Sequence, residues 1–259
     1  MAGMEVRVFV EQARVSYFDA DVKLRLAPVA YWRILQNAAA GHAAALSAAT
    51  EELRRNGQTW MLSKMRVDVL RAPVLGEELT VETWPSTKIK GARAYRDYVL
   101  KDAAGNVCAS SSSLWVIVDL ASRRPVRIPE SISRLSIDPG YVVPCVEESW
   151  LSEPAGSVAE TRYRALWSDA DQNEHVNNAT IVRWAVDALP LAFLERHEMV
   201  SLEAHYRAEV AIGDEVLVKT ELNGVSARQA VIKANAVAAL VASRWRQSDA
   251  TLVAPEQHV

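Results

Sequence analysis

Two cysteines in 259 residues, Cys108 and Cys145, are too few to frame a disulfide scaffold, and they favour a reduced compartment over a secreted one. No uninterrupted apolar run approaches the ~20 residues that a membrane-spanning helix needs. Positive charge is not in surplus either: 29 Lys and Arg stand against 32 Asp and Glu, a net charge of −3. That balance argues against nucleic acid as a partner, because such binders are usually strongly basic. No basic stretch with a following apolar run precedes Val6-Arg7-Val8-Phe9-Val10, so no signal peptide and a cytoplasmic location are expected. What the chain does have is length and apolar content. Half of its residues are hydrophobic, and 259 residues suit two domains of about 100–150.

Residues 6–18 read as a strand, with Val6, Val8 and Val10 alternating with Arg7 and Phe9. Pro28 is tolerated in a first helical turn and opens a long helical pattern over 28–55. Tyr31, Ile34, Leu35, Ala38, Ala39, His42 and Leu46 lie on one side of it, and Gly57 ends it. His42 on that face reads as a packed histidine, with no polar partner near it in sequence. Strand signals then follow at 60–70, 78–84, 92–100 and 108–119. One helix followed by a run of antiparallel strands is an α+β arrangement. Five of the ten prolines fall in 124–158, where periodicity is lost. The division expected is an N-terminal domain over 1–128, a Pro-rich linker over 129–158, a C-terminal domain over 159–250 and a disordered tail over 251–259.

The second half repeats the first. Arg164, Asp169, Ala170 and Asp171 follow Arg14, Asp19, Ala20 and Asp21 by 150 positions, and each set precedes a helix. Residues 213–220 resemble 76–83 at a separation of 137, so the second copy is 13 residues shorter between these landmarks. A single repeat of this period means two copies of one fold. Strands at 216–222, 227–237 and 239–247 complete the second copy, and Pro190 should end or kink its helix.

The chemistry-bearing stretch is 169–178. Asp171, Asn173 and His175 alternate, so in an extended segment their side chains share one face. Helical spacing begins at Ala179 with Ile181, Trp184, Ala185 and Ala188, and Asn177 or Asn178 suits the cap. Free backbone N–H groups at a helix start favour negative charge, which suits hydrolysis through an oxyanion held near Val176, Asn177 and Asn178. The same residues also serve simply as turn formers and caps. The first copy has Lys23 and Arg25 in register with Asn173 and His175, and Ala27 and Pro28 in register with Asn177 and Asn178. A single site in the second half follows.

The run from Trp167 to Asn178, with Trp184 after it, resembles the signature of the acyl-acyl-carrier-protein thioesterases. The shorter His175-Val176-Asn177-Asn178 also resembles single hot-dog thioesterases that act on coenzyme A esters. The likeness continues in Trp60-Met61-Leu62-Ser63-Lys64-Met65, Val81-Glu82-Thr83-Trp84, Leu114-Trp115-Val116-Ile117, Ile128-Pro129-Glu130 and residues 202–209. It implies two tandem hot-dog folds, each a long helix wrapped by a curved antiparallel sheet. It implies hydrolysis of fatty acyl-carrier thioesters to free fatty acid, by carboxylate-assisted attack of water and with neither cofactor nor metal. The alternatives are a coenzyme A thioesterase with the same site, or an acyl-binding protein without turnover.

The catalytic set implied is Asp171, Asn173, His175 and, on a second strand, Glu209. Either carboxylate could be the general base. Many family members carry a cysteine after that glutamate; here it is Val210, so water is the expected nucleophile. Ile181 replaces a common tyrosine. The acyl pocket is expected in the first domain, lined by Tyr31, Leu35, Ala38, Ala39, Trp60, Met61, Met65 and Trp84. An acidic carrier protein would dock on a basic surface. Lys88, Lys90, Arg93 and Arg96 form one candidate, and Arg123, Arg124 and Arg127 another. A monomer or a homodimer fits, since a double hot dog pairs its own two sheets.

Overall fold

The computed structural model describes residues 8–88, 91–146 and 149–248. The first half runs β1 (Phe9–Arg14), α1 (Pro28–Ala45), α2 (Thr50–Arg54), β2 (Gln58–Val69), β3 (Glu78–Pro85), β4 (Arg93–Asp102), β5 (Val107–Asp119), β6 (Pro125–Val126) and α3 (Glu130–Ser133). The second runs β7 (Ala159–Arg164), a 3-10 turn (Trp167–Asp169), α4 (Asn178–Asp187), α5 (Leu191–Arg196), β8 (His197–Tyr206), β9 (Glu215–Asn223), β10 (Ser226–Lys233) and β11 (Ala236–Gln247). All strands belong to one 11-stranded sheet, ordered β1-β3-β4-β5-β2-β8-β11-β10-β9-β7, with β6 paired to β5. The order in one half mirrors that in the other. This is the expected α+β double hot dog.

The halves meet at the antiparallel pair β2–β8, in the register Met65↔Ala204 and Val67↔Leu202. Tyr31 and Leu35 of α1, Val182 and Ala185 of α4, Met65 and Val67 of β2, and Leu202 of β8 share one buried cluster. Full burial stabilises each such large side chain by roughly 1.5–3 kcal/mol, so the core ties the two copies together.

Several elements differ from expectation. The long helix stops at Ala45, and Ser47 takes a left-handed backbone (φ 52) before α2 begins. The Glu52 carboxylate accepts the Ala49 N–H at 2.9 Å, so a new helix start ends the old one despite the alanine-rich sequence. The last hairpin turns at Ala234 and Asn235, both left-handed (φ 47 and 65), and not near 238. Two consecutive positive φ angles match the twist of a two-residue hairpin. Pro190 does separate α4 from α5, at whose N-cap it sits. Residues 6–7 and the tail from 251 lie outside the described residues. No described helix is long and apolar enough to cross a membrane.

Candidate active site

The stretch carrying Asp171, Asn173 and His175 is a tight turn and not an extended strand end. The Asp171 N–H donates to the His175 carbonyl (2.9 Å), and the Glu174 N–H donates to the Asp171 carbonyl (3.0 Å). Glu174 is left-handed (φ 63). The Asp171 carboxylate accepts the Asn173 N–H at 2.8 Å, the side-chain-to-backbone bond by which Asp shapes turns. The first copy has the same turn. There the Asp21 carboxylate accepts the Lys23 N–H (2.8 Å), and Leu24 is left-handed (φ 58). Asp19 and Asp169 likewise bind Arg33 (2.7 Å) and Arg183 (2.6 Å) in the two copies.

The turn brings His175 to Glu209. His175 Nε2 lies 2.9 Å from Glu209 Oε2, and Arg123 Nη1 donates to the other carboxylate oxygen at 3.2 Å. Glu209 is not on a strand: β8 ends at Tyr206, and the segment after it is irregular. Bonds from both sides hold that segment, because the Val176 N–H donates to the Val210 carbonyl (2.8 Å) and Lys233 Nζ to the Glu209 carbonyl (2.8 Å). Val210 is buried. With the His175 Nε2 proton directed at the carboxylate, Nδ1 is left as the acceptor.

The three backbone groups expected to hold an oxyanion are not equivalent. Val176 spends its N–H on Val210, and Asn177 spends its own on the Asp169 carbonyl at 2.8 Å. These amides close the turn, so they are removed from that role. The Asn178 N–H has no acceptor among the described residues. Asn177 Oδ1 caps the helix by accepting the Ala179 N–H (2.8 Å), leaving Asn178 at the first helical position. Pro28 holds that position in the first copy and has no N–H to offer.

A cavity of about 1310 Å³ opens beside these groups. The turn and Glu209 line one part of it; Ala39, Ala40, Ala43, Ala44, Trp60, Met61 and Trp115 line another. Of the expected pocket residues, Ala39, Trp60 and Met61 line this cavity. Tyr31, Leu35, Ala38 and Met65 are instead filled core, each at most 1 % exposed. A β-bulge between Leu62 and Lys64 shifts the side-chain alternation of β2, which sends Met65 into the core while Met61 stays at the cavity. Trp84 is buried beside Tyr141, at 5.4 Å between ring centroids. The contrast predicts opposite outcomes for neighbouring residues. Ala38→Leu should overpack and cost about 1–3 kcal/mol. Ala39→Leu should fill cavity space and shorten the preferred acyl chain, with a smaller change in melting temperature. Thermal melts and product chain-length profiles of both variants check this.

His42 is packed, as expected. It is 3 % exposed, stacks on Phe9 (5.2 Å) and accepts a bond from Arg96 Nη1 at 3.1 Å. Burial, with the Arg96 guanidinium adding to it, pushes its pKa down to about 4. The unfolded chain then takes up a proton first as pH falls, so stability is fully present above the unfolded value near 6.5 and is lost towards about 4. The loss is on the order of 3 kcal/mol. Urea unfolding at about pH 7 and about pH 4.5 should show a smaller difference in His42→Gln than in the wild type.

Arg96 corrects the carrier-docking expectation. Its guanidinium turns inward to His42 and Thr83 (3.3 Å to Thr83 Oγ1), so it does not belong to a docking surface. Lys90 lies outside the described residues, and Lys88 and Arg93 are exposed. The cysteines are free. Cys108 is buried beside Arg71, whose Nη2 also reaches Glu77 and Asp102, and burial pushes its thiol up. Neither cysteine lines the cavity.

A double hot dog with its polar constellation in the second copy defines the class of protein. The model of the acyl-ACP thioesterase N-terminal domain matches residues 6–135, and that of the C-terminal domain matches residues 152–247. The chain belongs to the acyl-ACP thioesterase family. A chloroplastic palmitoyl-acyl carrier protein thioesterase of Gossypium hirsutum is 32% identical over 169 residues, 62% of this chain and 40% of that protein. A chloroplastic dodecanoyl-[acyl-carrier-protein] hydrolase of Cinnamomum camphora is 27% identical over 218 residues, 79% of this chain and 56% of that protein. The match thus spans about 40% to 56% of the length of these curated relatives. Among solved structures, the 12:0-ACP thioesterase of Umbellularia californica superposes with a TM-score of 0.84 at 22% identity, over 95% of this chain and 100% of that one. A putative oleoyl thioesterase of Lactobacillus plantarum gives 0.82 at 24% identity, over 95% and 99%. At these identities the superpositions speak for the fold.

Proposed function

We propose that the protein hydrolyses fatty acyl thioesters of an acyl carrier protein, releasing free fatty acid. The observation that carries this reading is the His175–Glu209 pair at 2.9 Å beside the unspent Asn178 amide, all lining a cavity large enough for an acyl chain. Glu209 orients the imidazole, and His175 Nδ1 takes a proton from water as that water attacks the acyl carbon. The negative charge moves to the carbonyl oxygen, where the Asn178 N–H and the Asn173 carboxamide N–H groups receive it. Collapse breaks the carbon–sulfur bond, and the imidazolium returns its proton to the departing sulfur. A thiol near pKa 8.5 leaves readily, so that last transfer is the less demanding one. Asp171 shapes the turn in this scheme and takes no proton.

The exposed Lys88 and Arg93 of the first basic group, and the exposed Arg124 and Arg127 of the second, are the remaining candidates for receiving an acidic carrier. The test offers the same acyl chain on carrier protein and on coenzyme A and follows thiol release. Faster turnover of the carrier thioester supports the reading. Preference for the coenzyme A ester replaces the substrate, and tight acyl binding without thiol release removes the reaction.

A further inference from the structure

The second copy does not build its site alone. Arg54, at the end of α2 in the first copy, donates from Nη2 to Asn173 Oδ1 at 2.6 Å and to the Gln172 carbonyl at 3.2 Å. Arg123, in the β5–β6 turn of the first copy, reaches Glu209 Oε1 at 3.2 Å. We propose that Arg54 and Arg123 are positioning residues for the thioesterase site, one fixing the Asn173 carboxamide and the other the Glu209 carboxylate. The proposal rests on the hydrolytic reading above.

Chemistry gives each contact a direction. A guanidinium only donates, so the carboxamide atom facing Arg54 is the oxygen. The amide N–H groups of Asn173 are then left for the cavity that this residue lines. Without Arg54 the amide is free to flip and present its oxygen to a developing oxyanion, turning attraction into repulsion. Arg123 occupies one oxygen of Glu209 and leaves the other for His175, so the carboxylate cannot rotate away from the imidazole.

The backbone supports the second contact. Arg123 is left-handed (φ 57), a conformation side chains other than glycine rarely adopt. Its N–H is held by the Asp119 carbonyl at 2.9 Å, and Asp119 Oδ1 also accepts from Ser122 N and Oγ, both at 2.7 Å. The turn is thus fixed in the shape that aims this side chain across the joint. The competing view is that these are two incidental surface contacts. Arg123 is 60% exposed, and exposed ion pairs add little to stability. The two views part on turnover.

The test compares Arg54→Ala, Arg54→Lys, Arg123→Ala and Arg123→Lys with the wild type. The substrates are one acyl chain carried by carrier protein and by a small thiol. For the alanine variants we expect kcat to fall about tenfold or more on both substrates, a fraction of what a lost oxyanion donor costs. KM should stay within about threefold and melting temperature within about 2 °C. Lysine should restore Arg123 substantially, since one charge suffices there, and Arg54 only as far as its shorter side chain reaches, since both Arg54 bonds leave the single nitrogen Nη2 and a lysine ammonium also carries donors for two acceptors. Arg54→Ala added to Asn173→Ala should cost nothing further. The side-chain amide resonance of Asn173 reads the clamp without turnover: it should be distinct in the wild type and averaged in Arg54→Ala. A loss confined to KM for the carrier substrate would mean docking and overturn positioning. Unchanged kcat, or an additive double variant, would overturn it too. A wild type that cleaves neither thioester defeats the hydrolytic reading, while the amide resonance still decides whether the clamp exists.

Discussion

His175→Gln is expected to lower kcat on an acyl thioester by about 10²–10⁴-fold, the range that a positioned general base supplies. Glu209→Gln should lose a comparable amount, because the 2.9 Å contact makes the carboxylate the partner that sets the imidazole's orientation. The double variant should be little worse than either single one, since residues that act as a unit give strongly non-additive losses. KM should change much less than kcat, because neither group is needed to hold the acyl chain. Single-turnover measurements on all three proteins check this. Losses that multiply in the double variant would show two independent roles and return Glu209 to the position of base.

The second large effect is expected at Asp171, and it depends on what replaces the aspartate. Asp171→Asn keeps an oxygen that can accept the Asn173 N–H, now at 2.8 Å, so turnover should stay within about tenfold of wild type. Asp171→Ala removes the acceptor, frees the turn, and should cost about a hundredfold or more, since a misplaced reacting group of about 1 Å already costs that much. A general base would behave differently: Asn and Ala would then be equally damaging. Asp21→Ala removes the equivalent bond in the first copy, where Lys23 and Arg25 occupy the turn. Its effect on turnover should be small beside that of Asp171→Ala.

The architecture was legible because it rests on patterns that sequence carries directly: strand alternation, helical spacing, and landmark residues repeated 150 positions apart. The asymmetry of the copies was legible for the same reason, at Lys23, Arg25 and Pro28. The local shape of the site was not. Alternation at Asp171, Asn173 and His175 suggested a strand, but left-handed Glu174 folds the segment into a turn, and no periodicity marks a single such residue. Which amides remain free depends on where the Val176 and Asn177 N–H groups bond, and both acceptors, Val210 and Asp169, are chosen by the tertiary fold. Arg54 and Arg123 are 119 and 86 positions from their partners, so nothing local announces them. The pocket was misjudged at Met65 because a one-residue bulge reverses which face a strand residue takes.

The β2–β8 joint has a consequence for how the protein responds to dilution. In a hot dog built from separate chains, the two sheets meet by association, and a partner leaves as concentration falls. Here the two copies share one chain, and the partner strand is present at a fixed effective concentration set by the connecting segment. His175 and Glu209 of one copy and Arg54 and Arg123 of the other lie on the same chain, so the contacts of the proposed site form within it. Specific activity is therefore expected to stay constant on dilution from micromolar to nanomolar protein, and a fall on dilution would show that a second copy of the chain supports the site.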